Sequence, residues 1–281
     1  MLANTSRSTS ALGKILLSKN SMTKVYAIAM QKGGVGKTTS VVNMSAYLGN
    51  KGYRVLVVDM DPQANATSYL GYDKREVNPS VYELLVEEAP FSNLIVHHQQ
   101  ANVSLLPANP ELAGAEVELV HLLARERRLE KALQEARDNF DYILIDCPPS
   151  LGLLTVNALT AAQDGVIVPV QCEYLALEGL TQLLETLDLV RRHLNPQLNI
   201  RGLIMTMYDS RTNLSRQVVE EVRTHFPGRV FRTIIPRNIR LSEAPSYGQP
   251  ISMYAPSSPG AIAYQVLTAE LLSGDTDSHK Q

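Results

Sequence analysis

The chain carries no Asp or Glu before Asp59 and no Lys between Arg201 and Pro250. It has only two cysteines, Cys147 and Cys172. Two thiols make neither a disulfide framework nor a four-ligand metal site, and a reducing cytoplasm suits them. No apolar run approaches the roughly 18 residues that a membrane-spanning helix needs, so no membrane is expected. Internal repeats and an interdomain linker are also missing. A net charge of −2 predicts neither a nucleic-acid binder nor a membrane binder, so the distribution of charge has to speak instead. An apolar share of 44% is ordinary for a globular core.

What is present begins after an apolar run from Val25 to Met30. There the chain reads Lys32, Gly33, Gly34, Val35, Gly36, Lys37, Thr38, Thr39. The glycines let the backbone curl so that successive N–H groups face an anion. A helix opening near Lys37 adds its positive end. Lys37 supplies a point charge to the outer phosphates, and the Thr38 hydroxyl can ligate Mg2+. The pattern departs from the usual phosphate loop in two ways: Gln31 stands at the first glycine position, and Lys32 adds a second lysine beside the phosphates.

Strand-like runs alternate with helical patterns along most of the chain. Strands are expected at Val25–Met30, Arg54–Val58, Val103–Leu106, Tyr142–Ile145, Val166–Val170 and Ile200–Met205. Helices are expected at 40–51, 111–137, 153–162, 177–194, 214–226 and 258–272. This alternation implies an α/β fold, a doubly wound and mostly parallel sheet with helices on both faces. The first 22 residues are Ser/Thr-rich, basic and free of acid, and read as a disordered leader. A single phosphate-loop domain is expected over 23–273, with a disordered tail over 274–281. His97-His98 lacks metal-site spacing and reads as an exposed loop pair. Ligands of such folds bind beyond the carboxyl ends of the strands, where Gly33, Asp59, Asp61 and Asp146 fall. Two or three carboxylates there can approach a nucleotide-bound Mg2+ or an attacking water.

Five segments carry a family resemblance. They are the lysine before the loop, Asp59-Met60-Asp61-Pro62-Gln63-Ala64-Asn65-Ala66-Thr67, Asp146-Cys147-Pro148-Pro149-Ser150, Pro169-Val170-Gln171-Cys172-Glu173 and Ile235-Pro236-Arg237-Asn238. Together they resemble a ParA/Soj-type partitioning ATPase of the deviant Walker A class, over about Val25 to Leu272. The resemblance implies ATP and Mg2+ as cofactors and an ATP-dependent homodimer in which Lys32 reaches the partner's nucleotide. It implies that Asp61 positions or activates water, that Asp59 and Asp146 lie near the metal, and that Pro236 and Asn238 line the adenine. It further implies a ParB-type centromere-binding protein as partner and a cytoplasmic, nucleoid-associated location.

Eight arginines lie between Arg201 and Arg240, opposed by Asp209, Glu220 and Glu221. Arginine suits phosphate contact without base reading. By the resemblance, Arg211 and Arg240 match arginines linked to nonspecific double-stranded DNA binding. The alternative is a MinD-like membrane-cycling ATPase, which shares the loop but closes on an amphipathic basic helix. An iron–sulfur reductase component also shares the loop, and would need Cys147 and Cys172 as cluster ligands. Both cysteines read instead as small buried residues at strand ends.

Overall fold

A computed structural model describes residues 22–174 and 176–277. The expected leader up to residue 21 lies outside the described residues. Seven strands form one sheet: β1 (Lys24–Ile28), β2 (Val55–Asp59), β3 (Val96–His98), β4 (Val103–Leu106), β5 (Tyr142–Asp146), β6 (Gly165–Gln171) and β7 (Ile200–Thr206). Their order is β3-β4-β2-β5-β1-β6-β7. Every pairing is parallel except β3 with β4. The central β2 and β5 are buried at all five positions, as apolar strands covered on both faces must be.

Alternate residues of each strand feed two cores. Val25, Ala27, Leu56, Val58, Ile143 and Ile145 face one way. Tyr26, Ile28, Val55, Val57, Tyr142 and Leu144 face the other. The second face is covered chiefly by α1 (Lys37–Asn50) and the last helix. Between them in the chain come α2 (Asn65–Tyr69), α3 (Val81–Val86), α4 (Leu112–Glu118), α5 (Arg128–Leu133), α6 (Leu153–Ala161), α7 (Ala176–His193), α8 (Asn213–His225), α9 (Ile239–Glu243) and α10 (Ile251–Tyr254), and the last helix is α11 (Pro259–Asp277). Leu84, Leu112, Leu129, Leu154 and Leu180 of α3 to α7 cover the first face.

Three expectations change. The helical region at 111–137 is broken into α4, two single 3-10 turns and α5. Ala124 adopts a left-handed φ of 51°. The buried Asn157 of α6 takes over groups that an unbroken helix would bond internally. Its Oδ1 accepts from Leu129 N–H at 3.2 Å, and its Nδ2 donates to the Arg125 carbonyl at 2.8 Å. Next, α11 runs past the expected boundary at 273 to Asp277. It is held there by Asp275, which accepts from Tyr26 OH at 2.7 Å, Tyr142 OH at 3.1 Å and Arg201 Nε at 3.1 Å. Lastly, His97-His98 belongs to the edge strand β3, antiparallel to β4, where His98 Nδ1 accepts from Ala101 N–H at 3.1 Å.

Candidate nucleotide site

The turn between β1 and α1 is shaped by glycine. Gly34 and Gly36 have φ of 73° and 94°, values that strain any residue with a Cβ. Gly36 is the N-cap of α1, so the helix opens at Lys37. Thr206, at the end of β7, ties the turn down by donating from Oγ1 to the Val35 carbonyl at 2.9 Å. Lys37 is 7% exposed, and its ammonium donates to the carbonyl of Lys32 at 3.2 Å. Burial lowers the Lys37 pKa, while the nearby Asp146, Cys147 and Asp61 oppose that shift.

Strand register brings the acids together. Asp59 and Asp146 stand side by side at the ends of β2 and β5, and both are fully buried. Burial, then the neighbouring Asp59, pushes the Asp146 pKa well above the usual carboxylate range. Burial pushes Asp59 up to about 6, against hydrogen bonds from Thr67 and Asp61 that favour its charged form. Asp146 Oδ2 accepts from Thr38 Oγ1 at 2.7 Å, while its buried Oδ1 has no hydrogen-bond partner among the described residues. Asp59 differs. Its Oδ2 accepts from both Thr67 N–H and Thr67 Oγ1 at 2.8 Å, and its Oδ1 accepts from Asp61 N–H at 3.2 Å. Asp59 thus anchors the segment 60–67, and Asp146 and Thr38 present the free oxygen chemistry. Asp61 is 6% exposed, and its Oδ1 accepts from Gln63 N–H at 3.0 Å.

Hard oxygen donors, an orphaned carboxylate oxygen and two adjacent buried acids are what a divalent cation relieves. Mg2+ therefore fits Thr38 and Asp146 on the chemistry of the donors alone. A cavity of about 350 Å³ opens beside the turn, lined by Gly36, Thr39, Thr206, Pro236, Asn238 and Tyr264 among others. Pro236 and Asn238 thus meet the phosphate turn at one cavity. Asn238 also caps α9, accepting from Arg240 N–H at 2.9 Å. A larger cavity of about 530 Å³ near α3 and α5 shares no lining residue with the turn, so size alone does not mark the site.

Other expected residues lie apart from this cluster. Lys32 turns outward to Glu173, at 3.4 Å. Arg211 is exposed and forks onto Asp209 at 2.7 and 2.9 Å. Arg240 is exposed and pairs with Glu243 at 2.8 Å. The arginine-rich stretch is not one surface: Arg201 lies over the Phe231 ring at 5.8 Å and pairs with buried Asp275. Cys147 and Cys172 are both buried and free, and burial pushes the Cys172 thiol up to about 12.

A family model described as an AAA domain matches residues 23–200. The sporulation initiation inhibitor protein Soj of Bacillus subtilis is 56% identical over 250 residues, covering 89% of this chain and 98% of that protein. The chromosome partitioning protein ParA of Myxococcus xanthus is 51% identical over 253 residues, covering 90% and 89%. This chain belongs to the Soj/ParA family of partitioning ATPases. A solved structure of cobyrinic acid a,c-diamide synthase from Mycobacterium smegmatis, with bound ADP and magnesium, superposes with a TM-score of 0.79 at 43% identity, covering 89% of this chain and 94% of that one.

In this ParA-family chain, sequence reasoning gave no task to Thr67, Thr206, Tyr264 or Glu173. Thr67 bonds Asp59 twice and also accepts from Ala108 N–H at 2.9 Å, linking the acid to the strap after β4. Thr206 shares with Asp59 and Asp146 its place at a strand end, the one signal in the sequence that marks it. Tyr264 donates no pattern of its own, because its position is set by the packing of α11 on α1.

Proposed function

We propose that this chain binds ATP with Mg2+, dimerises on ATP, and in that form binds double-stranded DNA without sequence preference. A ParB-type centromere-binding protein stimulates hydrolysis, in the cytoplasm and on the nucleoid, during chromosome or plasmid segregation. The observation that carries this reading is the free, buried Oδ1 of Asp146, one hydrogen-bonded step from Thr38 and beside the glycine turn. The magnesium and ADP in the M. smegmatis relative support it.

Each residue has a task. The Lys37 ammonium exchanges the Lys32 carbonyl for the outer phosphate oxygens, which carry more charge. Thr38 and Asp146 hold Mg2+, which when bound with nucleotide neutralises charge on the phosphate oxygens. Asp59 keeps the segment carrying Asp61 in place, and Asp61 orients and accepts a proton from water. Lys32 leaves the surface to reach the partner's nucleotide. Among the described residues, a Cβ at Gly33 would meet no atom within 4 Å beyond its own chain neighbours, so a glycine there serves the approach of a second backbone. Arg211 and Arg240 contact DNA phosphates.

The MinD-like reading is weaker, because Tyr264, Leu267 and Leu271 commit α11 to the core. No helix of the described residues is long and apolar enough to cross a membrane. The test is sedimentation of DNA with protein plus ATP, plus ADP, and without nucleotide. Co-sedimentation with ATP alone is expected. Equal co-sedimentation in all three, or none, sinks the ATP-switched reading, and ATP-dependent binding to anionic vesicles instead would favour the MinD-like one.

A further inference from the structure

Glu173 stands in the loop between β6 and α7, at the same end of the sheet as the glycine turn. Its Oε1 accepts from Gln171 Nε2 at 2.7 Å and faces Arg237 Nη2 at 3.6 Å. Its Oε2 faces Lys32 Nζ at 3.4 Å, across 141 residues of sequence. One oxygen is held by a hydrogen bond and a nearby guanidinium, and the other is left to the lysine. Asp209 and Glu243, by contrast, hold their arginines from two or three residues away on the same segment. The stem of Lys32 is supported as well. A Cβ added at Gly179 of α7 would lie 4.0 Å from Lys32 Cβ and 3.0 Å from Met30 Cε, so the first turns of α7 pass close to the root of this lysine.

We propose that Glu173 is a positioning residue that holds Lys32 in the nucleotide-free monomer and thereby sets how much ATP is needed to release it toward the phosphates. This rests on the role given to Lys32 under Proposed function. The pair is suited to exchange because it is weak. The Lys32 and Glu173 side chains are 35% and 45% exposed, so solvent screens them. A single half-exposed carboxylate then loses Lys32 to a triphosphate, which concentrates several negative charges. A diphosphate carries less charge and competes less well, and the hold, a cost common to both nucleotides, raises the concentration that each needs to release the lysine. A tighter, buried pair would keep the lysine.

Glu173→Gln preserves the shape of the side chain and removes its charge. Read by light scattering, the ATP concentration for half-maximal dimerisation is expected to fall about 2- to 5-fold, the range for an exposed ion pair. In a Lys32→Ala background the same substitution should change nothing, which separates a hold on Lys32 from a general loosening of the loop. An unchanged midpoint, or an equal shift in both backgrounds, overturns the proposal. A second measurement does not depend on dimerisation. The acylation rate of Lys32 by an amine reagent, without nucleotide and read by peptide mass spectrometry against exposed Lys51, should rise about 2- to 5-fold in Glu173→Gln. If the wild type shows no ATP-dependent gain in mass, the dimer reading falls and the labelling alone decides Glu173. An unchanged labelling rate then sinks it.

Discussion

Lys37 and Asp61 are single side chains whose loss has separable outcomes. Lys37 is a buried cation already turned toward the turn's own carbonyl. Lys37→Ala removes a charged hydrogen bond of about 1.5–3 kcal/mol, so ATP affinity should drop roughly 10- to 100-fold in titration calorimetry. Retained tight binding would place the phosphates elsewhere. Asp61→Ala should still bind ATP and lose about 100-fold or more in steady-state hydrolysis, the share usual for a positioned proton acceptor. Normal turnover would move that role to another acid. Asp59 is the poorer candidate, because its oxygens already accept three hydrogen bonds from Thr67 and Asp61. The residue types of the turn and the strand-end acids were legible in the sequence. Which acid keeps a free oxygen was not, since that depends on how the segment 60–67 folds back onto β2.

At the scale of elements, helix ends are where reading and structure part. The periodicity of 111–137 is helical throughout, yet tertiary hydrogen bonds from Asn157 compete with the helix ladder and win. The last turn of α11 is polar, a composition that reads as loop, but it is fastened from inside. Asp275, with its side chain 6% exposed, gathers two tyrosine hydroxyls and a guanidinium. Asp275→Ala leaves Arg201 half-buried and unpaired, and should cost about 3 kcal/mol in urea unfolding. A cost below about 1 kcal/mol, the size of one ordinary hydrogen bond, would show that the end of α11 adds no stability beyond that.

At the scale of the whole molecule, a sequence-independent DNA surface gains from being presented twice. Arg211 and Arg240, the DNA contacts proposed above, are exposed, and each would have to leave a neighbouring carboxylate to reach a phosphate. Arg211→Ala with Arg240→Ala should weaken binding to every DNA sequence alike, with ATP binding and dimerisation intact. The slope of log affinity against log salt should shrink by about 0.9 for each phosphate no longer neutralised, and so by about 1.8 for each arginine in a dimer. Affinity measured at several salt concentrations under saturating ATP decides it. An unchanged slope would move the DNA surface to other arginines, with Arg201 excluded because it is tied to Asp275 inside the fold.

The sequence by itself determined the layers, the turn and the strand-end placement of the acids. Apolar runs spaced by helical patterns have few ways to bury both faces of a sheet, and glycine at Gly34 and Gly36 answers a backbone demand that is local. Only the tertiary structure decided partners. It paired Asp59 with Thr67, left Asp146 an unbonded oxygen, turned Lys32 to Glu173 and drew Asp275 under the sheet. Asp59 and Thr67 lie only eight residues apart, but Lys32 with Glu173 and Asp275 with Tyr26 join residues far apart in the chain, so no local pattern encodes them. They follow from strand register and helix packing, which set where each side chain stands before its charge can act.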